Sequence, residues 1–75
     1  MDFKAVRQEM TEQALLIEEA LKRSPRISLV ELADVCDLSP AQAGFIMEQM
    51  KVFNMVHQVA FGRFSLTPEY RKTLN

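Results

Sequence analysis

Apolar residues recur at three- and four-residue steps through residues 2–23, the spacing that places side chains on one face of an α-helix. This face consists of Phe3, Val6, Met10, Ala14, Ile17 and Leu21, and it is widened by Leu15, Leu16 and Ala20. The segment is predicted to form either one long helix or two pieces divided near Thr11, whose hydroxyl can cap a second helix start.

The first ten residues exceed what the core of a minimal three-helix domain requires. We interpret residues 1–10 as a dimerisation arm, and the alternative is a helix end that packs on its own domain. In either case Ser24 and Pro25 end the helical segment. Proline cannot continue a helix, and it disfavours helical geometry in the residue before it.

A second, shorter helix is predicted to follow a brief extended piece at residues 26–27. Ser28 and Glu31 have the S-x-x-E spacing of a capping box, in which the two residues satisfy each other's backbone amides. The helix therefore begins near Leu29 and closes at residues 37–38. Its inward side is predicted to carry Leu29, Leu32, Ala33 and Cys36.

A third helix is predicted over residues 40–53. Ser39 is its N-cap and Pro40 takes the first helical position, where the missing amide hydrogen costs nothing. Asn54 is a residue type that adopts the left-handed conformation of a C-cap. The predicted buried stripe is Ala43, Ile46, Met47, Met50 and Phe53, and the outward positions include Ala41, Gly44 and Phe45.

The C-terminal third contains two β-prone runs, at residues 55–60 and 64–67. They flank residues 61–63, which include Gly62, and together they predict a β-hairpin. Thr67 and Pro68 then repeat the capping hydroxyl and proline of a helix start. The chain is therefore predicted to be mainly α with a small β-hairpin, in the order helix, strand, helix, helix, strand, strand, helix.

The composition, with 48% apolar and 25% charged residues among 75, is that of one globular domain. No apolar run reaches the ~20 residues that span a bilayer, and the first residues lack the layout of a signal peptide, so a cytoplasmic protein is expected. The net charge of −1 divides into −3 up to Asp37 and +2 after it. Any nucleic acid is therefore expected at the C-terminal half, without the basic profile of a tight non-specific binder.

Neither an enzyme, a cofactor nor a metal site is expected. The single cysteine, Cys36, has no second cysteine or nearby histidine with which to hold a metal, and we interpret it as a small buried hydrophobe. The chain has one histidine, so its hydroxyl and thiol groups have no plausible nearby base. A phosphate-binding glycine loop is also absent from the sequence.

The order of these elements resembles the winged helix-turn-helix superfamily from about Thr11 onward. Residues 38–56 have the spacing of its turn, recognition helix and entry into the first wing strand. Residues 64–69 look like the aromatic-x-Leu-Thr-Pro ending of the wing in many bacterial regulators. Residues 46–50 are in addition similar to the recognition helix of the DNA-reading γ domain of FtsK-type translocases.

In DNA-binding winged helices the third helix lies in the major groove, and its first two turns reach base edges. By position, the resemblance implies DNA contacts from Ser39, Ala41, Gln42, Phe45, Gln49 and, at the hairpin, Arg63. Glutamine can make a bidentate contact to adenine, whereas alanine and phenylalanine can touch thymine methyl groups. Ser39 and the first helix amides suit a phosphate, and Arg63 suits a phosphate or the minor groove.

One departure from the pattern of DNA-binding winged helices leads to two functional hypotheses. No arginine or lysine lies between Leu38 and Glu48, and Phe45 belongs to a potential apolar patch of the kind that marks partner surfaces. The first hypothesis is a small bacterial or phage transcriptional regulator that binds duplex DNA as a homodimer. The alternative is a winged-helix adaptor that docks another protein through a surface centred on Phe45.

Overall fold

The computed structural model describes residues 2–74, with the side chain of Phe61 left out. Within that range the helices are α1 (Phe3–Gln8), α2 (Glu12–Arg23), α3 (Leu29–Val35), α4 (Pro40–Val52) and α5 (Pro68–Thr73). The strands are β1 (Ile27–Ser28), β2 (Val56–Val59) and β3 (Arg63–Leu66), and a 3-10 turn at Ala60–Gly62 joins β2 to β3. The predicted order of elements is confirmed, with the first helix in two pieces.

The break between α1 and α2 occurs where the sequence allows it. The hydroxyl of Thr11 accepts a hydrogen bond from the backbone amide of Ala14 at 3.2 Å and caps α2. The apolar side of α1 packs on the domain itself, since the Phe3 ring meets the Tyr70 ring edge to face with centroids 5.1 Å apart. Dimerisation through residues 1–10 stays a prediction, and Met1 lies outside the described residues.

Both α3 and α4 begin with a capping box. Ser28 Oγ accepts from the Glu31 amide at 3.2 Å, and Glu31 Oε1 accepts from the Ser28 amide at 3.3 Å. The predicted C-cap of α4 is also confirmed, because Asn54 adopts φ 60°. These local devices fix where α3 begins and where α4 begins and ends, so the helix-turn-helix is largely specified by short-range chemistry.

The hairpin belongs to a three-stranded antiparallel sheet of order β1-β3-β2. Val56 lies opposite Leu66 and Val59 opposite Arg63, which confirms the predicted hairpin. β1 adds the third strand by pairing Ser28 with Arg63. The inner face of the sheet carries Val56 and Leu66, both 2% exposed, against the helices.

The core is built from α2, α3, α4, the sheet and the single tyrosine of α5. Its fully buried large side chains are Ile17, Leu21, Leu32, Met47, Met55, Leu66 and Tyr70. Cys36 is 8% exposed, and burial raises the pKa of its thiol. Phe53, predicted to be buried, is 36% exposed at the edge of this core.

Two further sequence-based expectations about buried faces are wrong. Leu15 and Leu16 do not widen the buried side of α2 but are 36% and 52% exposed, since a helix rotates by 100° per residue and the core here covers the side of Ile17 and Leu21. Gly44 does not face outward with Phe45. A Cβ on Gly44 would lie 3.6 Å from Leu29, so this position faces α3.

A buried carboxylate joins α1, α2 and α5. Glu18 is 2% exposed, and its carboxylate accepts hydrogen bonds from Arg7 Nε at 3.1 Å and Arg7 Nη2 at 2.9 Å. The Tyr70 hydroxyl donates to the same carboxylate. A charge this deep is tolerated only when it is paired and hydrogen-bonded, and both conditions are met here.

Among the described residues, no helix is both long enough and apolar enough to cross a membrane.

Candidate nucleic-acid interface

Helix α4 lies on the surface with a continuous exposed edge along its length. The residues that sequence reasoning assigned to DNA on and before this helix, Ser39, Ala41, Gln42, Phe45 and Gln49, are all exposed. The opposite side, with Ala43, Met47 and Met50, is buried. The predicted site residues of α4 therefore share one accessible surface.

Gln42 has a role in the helix itself. Its Oε1 accepts the backbone amide of Ser39 at 3.0 Å, while its own amide donates to Ser39 Oγ at 3.1 Å. Sequence reasoning found the serine cap but missed this reciprocal bond, although S-x-x-Q is a known form of the capping box. An adenine contact from Gln42 requires the side chain to leave this bond.

Two large apolar side chains lie on the exposed edge of α4. Phe45 is 66% exposed and Val52 is 77% exposed. The charged residues beside them are Glu48 and Lys51, which form an ion pair at 3.5 Å. The exposed edge of α4 thus combines amide and apolar groups and offers a phosphate one lysine that is already paired.

Gln49 lies between this edge and an open apolar cavity of about 130 Å³. The cavity is formed where the end of α1 and the start of α2 approach the second half of α4. Its lining includes Val6, Met10, Ile46, Met50 and Phe53. The exposed Gln49 side chain therefore borders both the exposed edge of α4 and this cavity.

Arg63 does not lie at the tip of the hairpin but begins β3, directly after the turn at Ala60–Gly62. Its Nη1 donates to the backbone oxygen of Arg26 at 3.0 Å and lies 3.4 Å from Glu31 Oε1. Hydrogen bonds from Ser28, and secondarily the Arg63 charge, hold the pKa of the Glu31 carboxyl below its ordinary value. The guanidinium is thus oriented by β1 and the start of α3.

The outer face of the sheet gathers polar groups. His57 pairs with Ser65 and Val59 with Arg63 across the hairpin, so the side chains of His57, Ser65 and Arg63 share one face, opposite Val56 and Leu66. His57 is exposed. This histidine and arginine therefore form a small polar surface on the wing. The alternation of residues along the strands predicts this surface only once the strand register is known.

No group of three or more histidine, cysteine, aspartate or glutamate side chains within residues 2–74 is arranged to hold a metal ion.

Taken together, the three-helix core, the capped turn between α3 and α4, and the hairpin after α4 define a winged helix-turn-helix fold. Solved structures share it, among them two crystal structures. The crystal structure of the MarR family transcriptional regulator SPO1453 from Silicibacter pomeroyi DSS-3 superposes with a TM-score of 0.80 and 21% identity, over 89% of this chain and 50% of that one. The crystal structure of RV1404 from Mycobacterium tuberculosis superposes with a TM-score of 0.82 and 16% identity, over 93% of this chain and 52% of that one.

The chain therefore spans about half the length of these two structures. No protein-family model matches the sequence, and no curated protein matches it. At these identities the likeness establishes the fold, and function has to be argued from the surface.

Proposed function

We propose that this chain is a small winged-helix regulator of transcription that binds duplex DNA in the cytoplasm of a bacterium or of a phage-infected cell. The observation that carries the proposal is the exposed edge of α4, in a fold that superposes on a protein described as a MarR family transcriptional regulator. In this arrangement α4 enters the major groove and the wing contacts the backbone or the minor groove.

The roles of the individual residues follow from their chemistry. Gln49 is the first candidate for an adenine contact, because its side chain is exposed and makes no capping bond. Gln42 joins it by leaving the capping box, while Ala41 and Phe45 touch thymine methyl groups. Ser39 and the first amides of α4 hold a phosphate at the helix N-terminus.

Arg63 anchors the wing. To reach DNA the guanidinium leaves Glu31, and this exchange is cheap because an exposed ion pair contributes little to stability and is screened by salt. His57 lies on the same face of the hairpin, where its ring can donate a hydrogen bond to a phosphate.

Fluorescence anisotropy on a random-sequence duplex tests the proposal. Contacts to two to four phosphates predict that affinity falls by roughly tenfold to a hundredfold between about 50 and about 200 mM salt. Arg63→Ala should weaken binding, whereas the control Lys22→Ala, which removes an exposed cation from α2, should not. Absence of binding at low salt, or equal losses in the two variants, would refute the proposed interface.

A second candidate function rests on the two exposed apolar side chains of α4, Phe45 and Val52. Phe45 and Val52 are among the most exposed large hydrophobic residues of the described chain, and such a patch favours protein contact. In this case the chain is an adaptor, and α4 docks a protein instead of DNA.

Photo-crosslinking from position 45, with position 30 as the control, should then capture a partner whose binding is nearly independent of salt. Loss of DNA affinity in Phe45→Ala with no crosslinked partner would exclude this alternative.

A further inference from the structure

A second apolar surface lies on α2 and α3, and it shares no residue with the proposed DNA interface. We call it the α2–α3 face and define it by Leu15, Leu16 and Val35. Leu16 is 52% exposed and Val35 is 66% exposed, while Leu15 is 36% exposed. Neither the fold nor the proposed DNA contact explains why three large aliphatic side chains are left in water here.

The shape of the α2–α3 face is a ridge between two hollows. One hollow is lined by Leu16, Ala20, Val35 and Cys36, with Glu19 and Arg23 at its edge. The other is a shallow, largely apolar hollow formed by Glu12, Leu15 and Leu16. A ridge beside a hollow on one patch is what an isologous contact requires, because a two-fold axis brings each patch against itself.

The charges along α2 indicate how two copies of this face would be oriented. The exposed outer line of the helix runs from Glu12 through Leu16 and Glu19 to Arg23, so it begins acidic and ends basic. Arg23 Nε donates to Glu19 Oε1 of the same helix at 3.2 Å, so a carboxylate from a second copy would be its second partner. The ends lie about 16 Å apart at 1.5 Å per residue. Two copies of α2 packed antiparallel would place Arg23 of each chain beside Glu12 of the other.

We propose that the α2–α3 face binds a second copy of this chain, with the two α2 helices antiparallel and with Leu16 and Glu19 on either side of the two-fold axis. A second copy fits better than another occupant because the charges are complementary to the same surface turned through 180°. The proposal goes beyond the DNA-binding function and does not depend on it. It also differs from dimerisation through residues 1–10, whose Phe3 packs on Tyr70 of its own chain.

The size of the surface predicts a weak dimer. A stable interface commonly takes about 800 Å² from each partner, which is about one sixth of the 4988 Å² that this chain exposes. Three exposed aliphatic side chains fill only the centre of such an area. We therefore expect a monomer–dimer equilibrium with a dissociation constant in the micromolar range, on the order of 1 μM or weaker.

Sedimentation equilibrium of the full chain over a concentration series tests the proposal. Leu16→Glu should raise the dissociation constant at least about tenfold, because it replaces the central apolar contact with two further carboxylates beside those of Glu19 near the axis. The control Val30→Glu places the same charge on an exposed valine of α3 that lines neither hollow, and it should leave the constant unchanged. Circular dichroism verifies that both variants are folded.

A charge exchange tests the antiparallel orientation. Glu12→Arg and Arg23→Glu should each weaken association, on the order of threefold to tenfold at low salt, and the double variant should recover most of the loss. A chain that stays monomeric throughout the series would overturn the proposal. So would a dimer insensitive to Leu16→Glu, which would direct attention to residues 1–10, or a double variant no better than the singles.

Discussion

The side chains that decide the chemistry of this molecule are those with two possible partners. Arg63 bonds Glu31 and the Arg26 backbone oxygen here and is the proposed anchor on DNA. Gln42 closes the cap of α4 and is also a candidate for reading adenine. Since each internal bond lies on the surface and competes with water, a strong external ligand can replace it at small cost.

Glu31→Gln is expected to tighten DNA binding by about twofold to fivefold at low salt. Glutamine keeps the capping box with Ser28, but it removes the charge that holds Arg63 and repels phosphate. Anisotropy titration measures the effect. The control Glu19→Gln removes an exposed carboxylate from α2, and an equal gain in that variant would mean that only net charge matters.

Among the helices and strands, local capping explains where most helices begin. The position of one glycine inside α4 depends instead on how two helices pack. Ser28, Ser39 and Thr67 each cap a helix as their sequence context predicts. Gly44 is different, because it lies inside α4 and faces Leu29 at close approach. Sequence reasoning placed it outward, since a glycine has no side chain from which to infer a face.

Gly44→Ala is expected to stabilise the protein by about 0.5 to 1 kcal/mol. Glycine inside a helix costs conformational entropy relative to alanine, and the new Cβ would meet Leu29 at 3.6 Å, an ordinary van der Waals distance. Urea denaturation measures the change. A destabilised variant would show that α3 and α4 approach more closely than this distance indicates.

At the scale of the whole molecule, α1 and α5 are held to α2 through one buried carboxylate. Glu18, Arg7 and Tyr70 come from three helices, and Tyr70 also packs against Phe3. This is the tertiary contact that packs the start of the chain on its own domain. A buried ion pair of this kind adds little net stability, but losing one of its partners is costly.

Tyr70→Phe is expected to lower the free energy of unfolding by about 1 to 3 kcal/mol at neutral pH, because Glu18 loses a buried hydrogen-bond donor. The change also alters the pH dependence. Burial and the Glu18 carboxylate raise the pKa of Tyr70 in the folded chain. The neutral phenol therefore contributes stability that is complete below its ordinary pKa near 10.0 and is lost as the pH rises further.

Urea denaturation at neutral and alkaline pH should therefore show a smaller alkaline loss in Tyr70→Phe than in the unsubstituted protein. Tyr70 is the one tyrosine of a chain without tryptophan, so its ionisation can be followed directly by ultraviolet absorbance. A phenol that titrates near pH 10 in the folded protein would contradict the buried network.

The sequence alone determined the winged-helix order of elements, the caps of three helices, the left-handed Asn54 and the exposed edge of α4. These features depend on interactions within a few residues, or on the periodicity of a single helix. Only the tertiary structure decided that Glu18 is buried, that Arg63 meets Glu31 thirty-two residues away, and that Leu15 and Leu16 remain in water. Such outcomes depend on which elements come to lie side by side, and no local pattern encodes that.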